Sequence, residues 1–215
     1  MQTTTSDKTI GRISLYRRLL HSFCADGVRY LYSHQLATLA GVTPAQVRRD
    51  IMALGYVGSP ARGYHVEELL ESISAFLNDA DVQPVALVGL GNLGRALLAY
   101  LGGRSSKYSV VAAFDSDPQK AGRVINGCRC YPVDSIREVL EDRDIHMAIL
   151  AVPAEAAQET AARLCELGVT GILNFAPVRL WVPDHVYVED IDLTTALERV
   201  AYHARRRATM KEGVR

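Results

Sequence analysis

Nothing in this chain approaches the ~20 consecutive apolar residues of a bilayer-spanning helix, and its start, residues 1–8, is polar and threonine-rich rather than a charged segment followed by an apolar one. Those absences point to the cytoplasm and away from a membrane. The four cysteines, Cys24, Cys128, Cys130 and Cys165, include no Cys-x-x-Cys pair, so they read as reduced thiols. Cys128-Arg-Cys130 suits a thiol sensor or half a metal site, and equally two same-face positions on a strand. None of the six histidines forms a helical His-x-x-x-His pair or a zinc pattern with a cysteine, so no metal is expected. Net charge is absent too. The 24 Lys and Arg balance 24 Asp and Glu, which argues against a globally basic nucleic-acid binder and leaves only local basic faces. With 48% hydrophobic and 22% charged residues there is no signature of disorder, and 215 residues suffice for one large domain or a small and a medium one.

What the chain does have is glycine at an informative spacing. Residues 85–94, Val-Ala-Leu-Val-Gly-Leu-Gly-Asn-Leu-Gly, run from an apolar stretch through Gly89, Gly91 and Gly94 into the alanine- and leucine-rich segment 95–101. That order predicts strand, tight turn and helix. Gly89 suits the turn, Gly91 leaves bare backbone for a pyrophosphate, and Gly94 lets the helix pack close to the strand, with the anion on the helix N-terminus. A second apolar run, 108–114, ends in Asp115, at about the 20-residue distance of a ribose-binding carboxylate. The competing reading is a tight strand-to-helix turn that binds nothing.

Upstream, residues 10–25 have helical spacing, with Ile13, Tyr16, Leu20 and Phe23 on one stripe and Arg12, Arg17 and Arg18 away from it. Ser33 is read as the N-cap of a helix over 34–40, Gly41 as a turn, and Thr43-Pro44 as the cap and first residue of a second helix through Leu54. Ala37, four positions before Gly41, permits a close crossing, and Val47 and Ile51 bury the second helix: a helix-turn-helix. Gln46, Arg48 and Arg49 then point outward, where glutamine can pair with adenine and arginine with guanine or phosphate. Residues 56–66 read as a hairpin around Gly-Ser-Pro, a wing whose Arg62 reaches phosphate or the minor groove. With Lys8 and the arginines of the first helix these residues make a local basic face; the alternative is a helical bundle with a solvated charged face. Residues 67–78 read as a connecting helix that ends before a boundary near Asp81.

From Pro84 onward strands and helices alternate, predicting an α/β fold with a Rossmann-like, doubly wound, mostly parallel sheet. The expected elements are a first helix stopped at Gly102-Gly103, a strand over 128–133 and a helix over 136–140 opened by a Ser135/Glu138 capping box. A strand over 146–152, a helix over 154–167 and strands over 171–175 and 186–189 follow. The last helix, 194–207, carries a Thr195/Glu198 capping box and a narrow stripe of Ala196, Leu197, Val200, Ala201 and Ala204. Little domain remains to cover that stripe, so packing on a second subunit is expected. The residues after it, 210–215, are expected to fray.

Gly89-Leu-Gly-Asn-Leu-Gly94, Phe114-Asp-Ser-Asp-Pro118, Leu173-Asn-Phe-Ala-Pro177 and, in the other half, Gln46-Val-Arg-Arg-Asp50 together resemble the Rex family of redox-sensing transcriptional repressors over nearly the whole chain. Asn-Phe-Ala-Pro by itself also resembles CoA-binding domains of acyl-CoA synthetases. The Rex resemblance implies a homodimer with interlocked C-terminal helices that binds double-stranded operator DNA, an inverted repeat, and leaves it when NADH rather than NAD is bound. It implies a winged-helix domain over 1–80, a Rossmann domain over 81–192 and a domain-swapped helix and tail over 193–215. Expected nucleotide contacts are Gly89, Leu90, Gly91, Asn92, Leu93, Gly94, Tyr100, Asp115, Ser116, Val152, Pro153 and Asn174. Expected DNA contacts are Ser33, Thr43, Gln46, Arg48, Arg49 and Arg62. The family's switch maps onto Tyr100 and a pairing of Arg18 with Asp192 of the partner subunit. The chain departs from the family in carrying Arg49 where lysine is common, its wing base at Arg62 rather than near Ser59 or Pro60, and Leu193 in place of a phenylalanine.

The competing class is an NAD-dependent oxidoreductase with a helical appendage. A dehydrogenase needs a proton donor or acceptor and substrate-orienting groups beside the nicotinamide. His146, His185 and His203 are isolated in the sequence, and no length remains after the Rossmann part for a substrate domain. No catalytic residues are expected.

Overall fold

In a computed structural model the chain divides into two units, Met1–Asp81 and Val82–Arg215. The structure describes residues 5–77, 82–102 and 107–212, with side chains to 206. The expected boundary at Asp81, the expected stop at Gly103 and the tail beyond 212 lie outside the described residues.

The N-terminal unit is built on α1 (Asp7–Ala25), which opens at Ser6, whose hydroxyl accepts the Thr9 amide, and fully buries Ile13, Tyr16 and Leu20. Helices α2 (Ser33–Ala40) and α3 (Pro44–Ala53) join across Gly41, which takes the left-handed φ of 67° that a side chain disfavours. Thr43 caps α3 through its hydroxyl and Pro44 supplies the first residue, where a missing N–H costs nothing. Leu36, Ala37, Val47 and Ile51 are buried where the two helices cross. The start of α2 differs from expectation. Tyr32 is the cap residue, its amide donating to Gln35 Oε1 at 2.7 Å, and Ser33 already lies in the first turn.

Segment 56–66 is not a self-paired hairpin around Gly-Ser-Pro. Only Ser59 and Gly63 pair, through two backbone hydrogen bonds of 2.7 and 2.8 Å that close a tip over Pro60, Ala61 and Arg62. Strand β2 (Tyr64–His65) instead pairs antiparallel with β1 (Tyr30–Leu31), a strand too short to show any periodicity in the sequence. Helix α4 (Val66–Phe76) follows at once and buries Val66, Leu69 and Ile73 in the same core as α1, so it is a core helix of this unit and not only a connection.

The second unit holds a seven-stranded sheet in the order β5-β6-β4-β3-β7-β8-β9. Its strands are β3 (Gln83–Val88), β4 (Tyr108–Asp115), β5 (Val124–Ile125), β6 (Cys128–Pro132), β7 (Met147–Leu150), β8 (Gly171–Asn174) and β9 (Tyr187–Asp190). All pairings are parallel except that of β5 with β6, an edge hairpin turned by Asn126 and Gly127 at φ 48° and 81°. Without β5, the order is that of a doubly wound dinucleotide fold, and the chain reverses direction across the sheet between β3 and β7. Successive β3 residues face opposite layers. Val85 and Leu87 pack with Leu98 of α5 (Asn92–Gly102), whereas Ala86 and Val88 share a core with Leu140 of α6 (Ile136–Asp142) and Leu164 of α7 (Ala154–Glu166).

Two caps differ from the sequence reading. Ser135 makes no side-chain capping bond, and a 3-10 turn over Val133–Ser135 leads into α6 instead. The last helix, α8 (Leu193–Glu212), starts a residue earlier than expected because Asp192 caps it: the Thr195 amide donates to Asp192 Oδ1 at 2.9 Å and the Thr195 hydroxyl to Oδ2. Cys128 and Cys130 are buried against the α5 layer. Burial pushes the Cys128 thiol up to about 11 and raises Cys130 as well, which makes them packing residues and not reactive thiolates.

Candidate functional sites

The crevice at the carboxyl ends of β3, β4 and β7, where the strand order reverses, is a cavity of about 800 Å³. Three glycines shape the turn at its floor, two of them lining the cavity. Gly89 sits at φ 98°, and a Cβ there would stand 2.3 Å from the Ala151 carbonyl oxygen; a Cβ on Gly94 would stand 1.9 Å from the Gly89 carbonyl oxygen. Gly94 thus brings α5 onto the turn itself rather than onto the strand. At Gly91 a Cβ would meet nothing within 4 Å. The position is open on the cavity side, at the helix start where backbone N–H groups have no intrahelical partner. Asn92, Leu93, Ser116, Val152 and Pro153 line the same cavity.

Asp115 stands at the cavity wall, but its oxygens are already engaged. Oδ2 accepts from the Leu90 amide at 2.7 Å and from Lys120 Nζ at 3.0 Å, and Oδ1 accepts from the Asp117 amide at 2.8 Å. Burial pushes this carboxyl up, yet the two amides and the ammonium outweigh it and hold the group below the ordinary carboxylate range. Lys120 also lines the cavity, and the sequence reading missed it: a lysine five residues past the acid has no pattern until the turn over 117–122 folds it back.

Four expected nucleotide residues do not line this cavity. Leu90 is wholly buried, and its amide is spent on Asp115. Gly94 lies beneath the turn, and Tyr100 is 57% exposed toward the end of α5. Asn174 is 1% exposed and committed to the loop after β8 and to β9: its amide nitrogen donates to the Val178 carbonyl and to Asp190 Oδ1, and its oxygen accepts the Ala176 amide. These bonds shape the loop after β8 and tie it to β9. Beyond the expected set, Val133, Ile136, Thr160 and Arg163 also face the cavity.

On the N-terminal unit, α3 presents Arg48 and Arg49 to solvent. Arg48 Nη1 donates to the Ser33 hydroxyl at 3.1 Å, and Arg49 Nη2 donates to Gln46 Oε1 at 2.8 Å. Gln46 does not point freely outward, because its Nε2 donates to Asp50 Oδ1 at 2.8 Å. Nor is Arg12 part of a free basic face. Its Nε and Nη2 grip both oxygens of Asp50 at 2.7 and 2.8 Å, and the Tyr16 hydroxyl adds a 2.9 Å bond. Burial pushes the Asp50 carboxyl up, but Arg12, Gln46 and Tyr16 together hold it below its ordinary range. At the wing, the Arg62 guanidinium lies 5.9 Å from the Tyr30 ring centroid, and the Tyr32 hydroxyl ties down the tip through the Ala61 carbonyl. The Thr43 hydroxyl is taken by its cap, and Arg18 is exposed on α1.

On α8, Leu193, Leu197, Val200 and Tyr202 are each more than half exposed. Asp192 at its start is held below the usual carboxylate range by the Thr195 hydroxyl and amide. Among the described residues no group of His, Cys, Asp and Glu is arranged to hold a metal ion, and no helix is long and apolar enough to cross a membrane.

Family models match two stretches: one described as "CoA binding domain" over residues 80–178, the other as "Putative DNA-binding protein N-terminus" over residues 4–51. The redox-sensing transcriptional repressor Rex of Carboxydothermus hydrogenoformans is 42% identical over 93% of this chain and 96% of its own length. That of Syntrophobacter fumaroxidans is 42% identical over 91% and 93%. Among solved structures, RSP in complex with beta-NAD+ and operator DNA is 31% identical with a TM-score of 0.89, covering 98% of this chain and 97% of that one. RSP in complex with beta-NADH is 30% identical with a TM-score of 0.86, covering 98% and 99%. Fold and crevice define a two-module class, a winged helix and a dinucleotide-type α/β unit in one chain. Within it, this chain belongs to the Rex family of redox-sensing transcriptional repressors.

Proposed function

We propose that this chain is a homodimeric transcriptional repressor that binds an inverted-repeat operator through α3 and the wing and leaves it when NADH occupies the crevice. The observation that carries this reading is the pairing, in one chain, of a winged-helix unit bearing exposed Arg48, Arg49 and Arg62 with a crevice whose glycine turn is open above Gly91 beside Asp115. Related Rex-family repressors span nearly all of both chains, and one is solved with beta-NAD+ and operator DNA. The glycine turn and Asp115 fit a dinucleotide: the pyrophosphate over Gly91 at the α5 N-terminus, the ribose toward Asp115 and Lys120. Arg48, Arg49 and Arg62, with Ser33 beside Arg48, are the groups that meet DNA. The domain limits follow as 1–80, 81–192 and 193–215, with α8 exchanged between subunits.

The effector forms differ at one ring, cationic in NAD and neutral in NADH. An apolar pocket made by both subunits disfavours the cation, because burying an unpaired charge is costly. For release, NADH must bind the DNA-free arrangement more tightly than the DNA-bound one; moving occupancy from 1:99 to 99:1 takes about 5.5 kcal/mol of difference. Arg18, Tyr100 and Asp192 carry that coupling in this reading. Two recognition helices need half-sites spaced by one helical turn, about 34–36 Å, or a multiple, so a modest rotation between subunits breaks simultaneous docking.

The test is fluorescence anisotropy of the protein on a labelled inverted-repeat duplex at one fixed salt concentration, titrated separately with NADH and NAD. Release by NADH at concentrations where NAD leaves the complex intact is expected. Binding indifferent to both would retain the regulator and remove the effector. Absence of DNA binding, together with turnover of bound nicotinamide, would return the protein to the oxidoreductases.

A further inference from the structure

The outward-facing polar residues of α3 are not equivalent. Both ends of the Gln46 carboxamide are taken within the protein, Nε2 by Asp50 Oδ1 at 2.8 Å and Oε1 by Arg49 Nη2 at 2.8 Å. The orientation of that amide follows from chemistry. An ionised carboxylate only accepts, so it must face the NH2 group; a guanidinium only donates, so it must face the carbonyl oxygen. Asp50 is itself immobilised. It is 3% exposed and takes two bonds from Arg12 and one from the Tyr16 hydroxyl, both on α1, in addition to that from Gln46. The chain of contacts therefore runs from the buried face of α1 through Asp50 and Gln46 to a guanidinium on the exposed face of α3.

We propose that Gln46 is a positioning residue and not a base reader: oriented by Asp50, it holds the Arg49 guanidinium in one rotamer, so that Arg49 presents its remaining donors to a base edge in the operator. This rests on the DNA-binding reading above. For Gln46 to read adenine, which takes both ends of the amide, it must give up the bond to Asp50 and the bond to Arg49 together, leaving a buried carboxylate short of a donor. A guanidinium held in advance loses less rotamer freedom on binding, and its fork matches the paired acceptors of guanine.

The experiment is selection by wild-type, Gln46→Ala, Arg49→Ala and the double variant from a library of duplexes carrying inverted repeats with randomised half-sites, followed by affinities on single-base variants of the selected site. Arg49 is exposed and Gln46 half-buried, with Asp50 still held by Arg12 and Tyr16 when Gln46 is truncated, so the variants are expected to fold, and circular dichroism and thermal melting check this. Arg49→Ala should lower discrimination at one base position by roughly 5- to 150-fold, the range of a bidentate arginine contact. Gln46→Ala should lower discrimination at that same position and no other, and the double variant should discriminate no worse than Arg49→Ala. Loss at an adenine position that Arg49→Ala leaves intact would overturn the proposal, as would an Arg49→Ala profile unchanged at every position. A wild-type protein that selects no sequence at all would instead sink the DNA-binding reading on which it rests.

Discussion

Gly91 and Gly94 stand three residues apart and are glycines for opposite reasons, which their alanine variants should separate. A Cβ at Gly94 collides with backbone, the Gly89 carbonyl oxygen, at 1.9 Å, so Gly94→Ala forces the helix off the turn. It should destabilise the α/β unit by about 1–3 kcal/mol or more, read as a lowered midpoint in chemical denaturation. A Cβ at Gly91 meets no protein atom within 4 Å, so Gly91→Ala should leave the midpoint unchanged. It should still weaken NADH binding about tenfold, some 1.4 kcal/mol, by calorimetric titration, because the methyl stands where the pyrophosphate must approach. Asp115 carries a pH signature at the same scale. Its carboxyl is held below the unfolded value of 3.8, so the stability it contributes is complete above that value and is lost as pH falls through the lower folded value. Asp115→Asn should flatten the stability profile below about pH 4, measured by denaturation at stepped pH.

At the scale of elements, the ion pair of Arg12 and Asp50 joins two helices across 38 residues of sequence. Removing one partner leaves the other charge buried, so Arg12→Ala should destabilise the winged-helix unit by about 3–5 kcal/mol, and it should slacken α3 against α1. Asp50 shares the sign of Asp115: its folded value is depressed, and its contribution vanishes as the solution is acidified below the ordinary range. Asp192 combines two element-level roles in the proposed mechanism, capping α8 and pairing with Arg18 of the partner subunit. Asn retains the cap geometry and removes the charge, whereas Ala removes both. Asp192→Asn should therefore keep α8 helical by circular dichroism and lose most of the NADH-driven release in the anisotropy titration. Full release by the Asn variant would show that the charge plays no part.

For the whole molecule, the proposed assembly rests on α8. Leu197 and Val200, 68% and 66% exposed, lie three apart on one face of a helix with nothing of its own unit over them. In the proposed dimer they are covered by the second subunit. Leu197→Glu with Val200→Glu should shift the protein from dimer to monomer in light scattering, and operator affinity should fall by orders of magnitude because the two half-sites are no longer bound as one. NADH binding should weaken in parallel if the nicotinamide pocket takes walls from both subunits, and stay unchanged if the crevice of one chain suffices.

Much of this molecule is local chemistry, and local chemistry is legible in a sequence. The Thr43-Pro44 start, the Gly41 turn, the Gly89 to Gly94 turn and the alternation after Pro84 rest on groups a few residues apart, so the helix-turn-helix and the doubly wound sheet follow from sequence alone. What tertiary structure decided involves partners far apart in the chain, or too brief to show a period. The pairing of Tyr30–Leu31 with Tyr64–His65, two residues a side, moved the wing strand away from its expected hairpin. Asp50, read only as part of a family motif, became the anchor of Arg12 and Gln46 once α1 lay against α3. Lys120 and Asn174 changed meaning through loops: one turns back onto Asp115, and the other spends its amide on its own loop and on Asp190 of β9. The physical reason is common to all of these. A side chain's type sets which bonds it can form, but buried polar groups must be satisfied by whatever the fold brings within reach, and that set of neighbours exists only after the chain has closed.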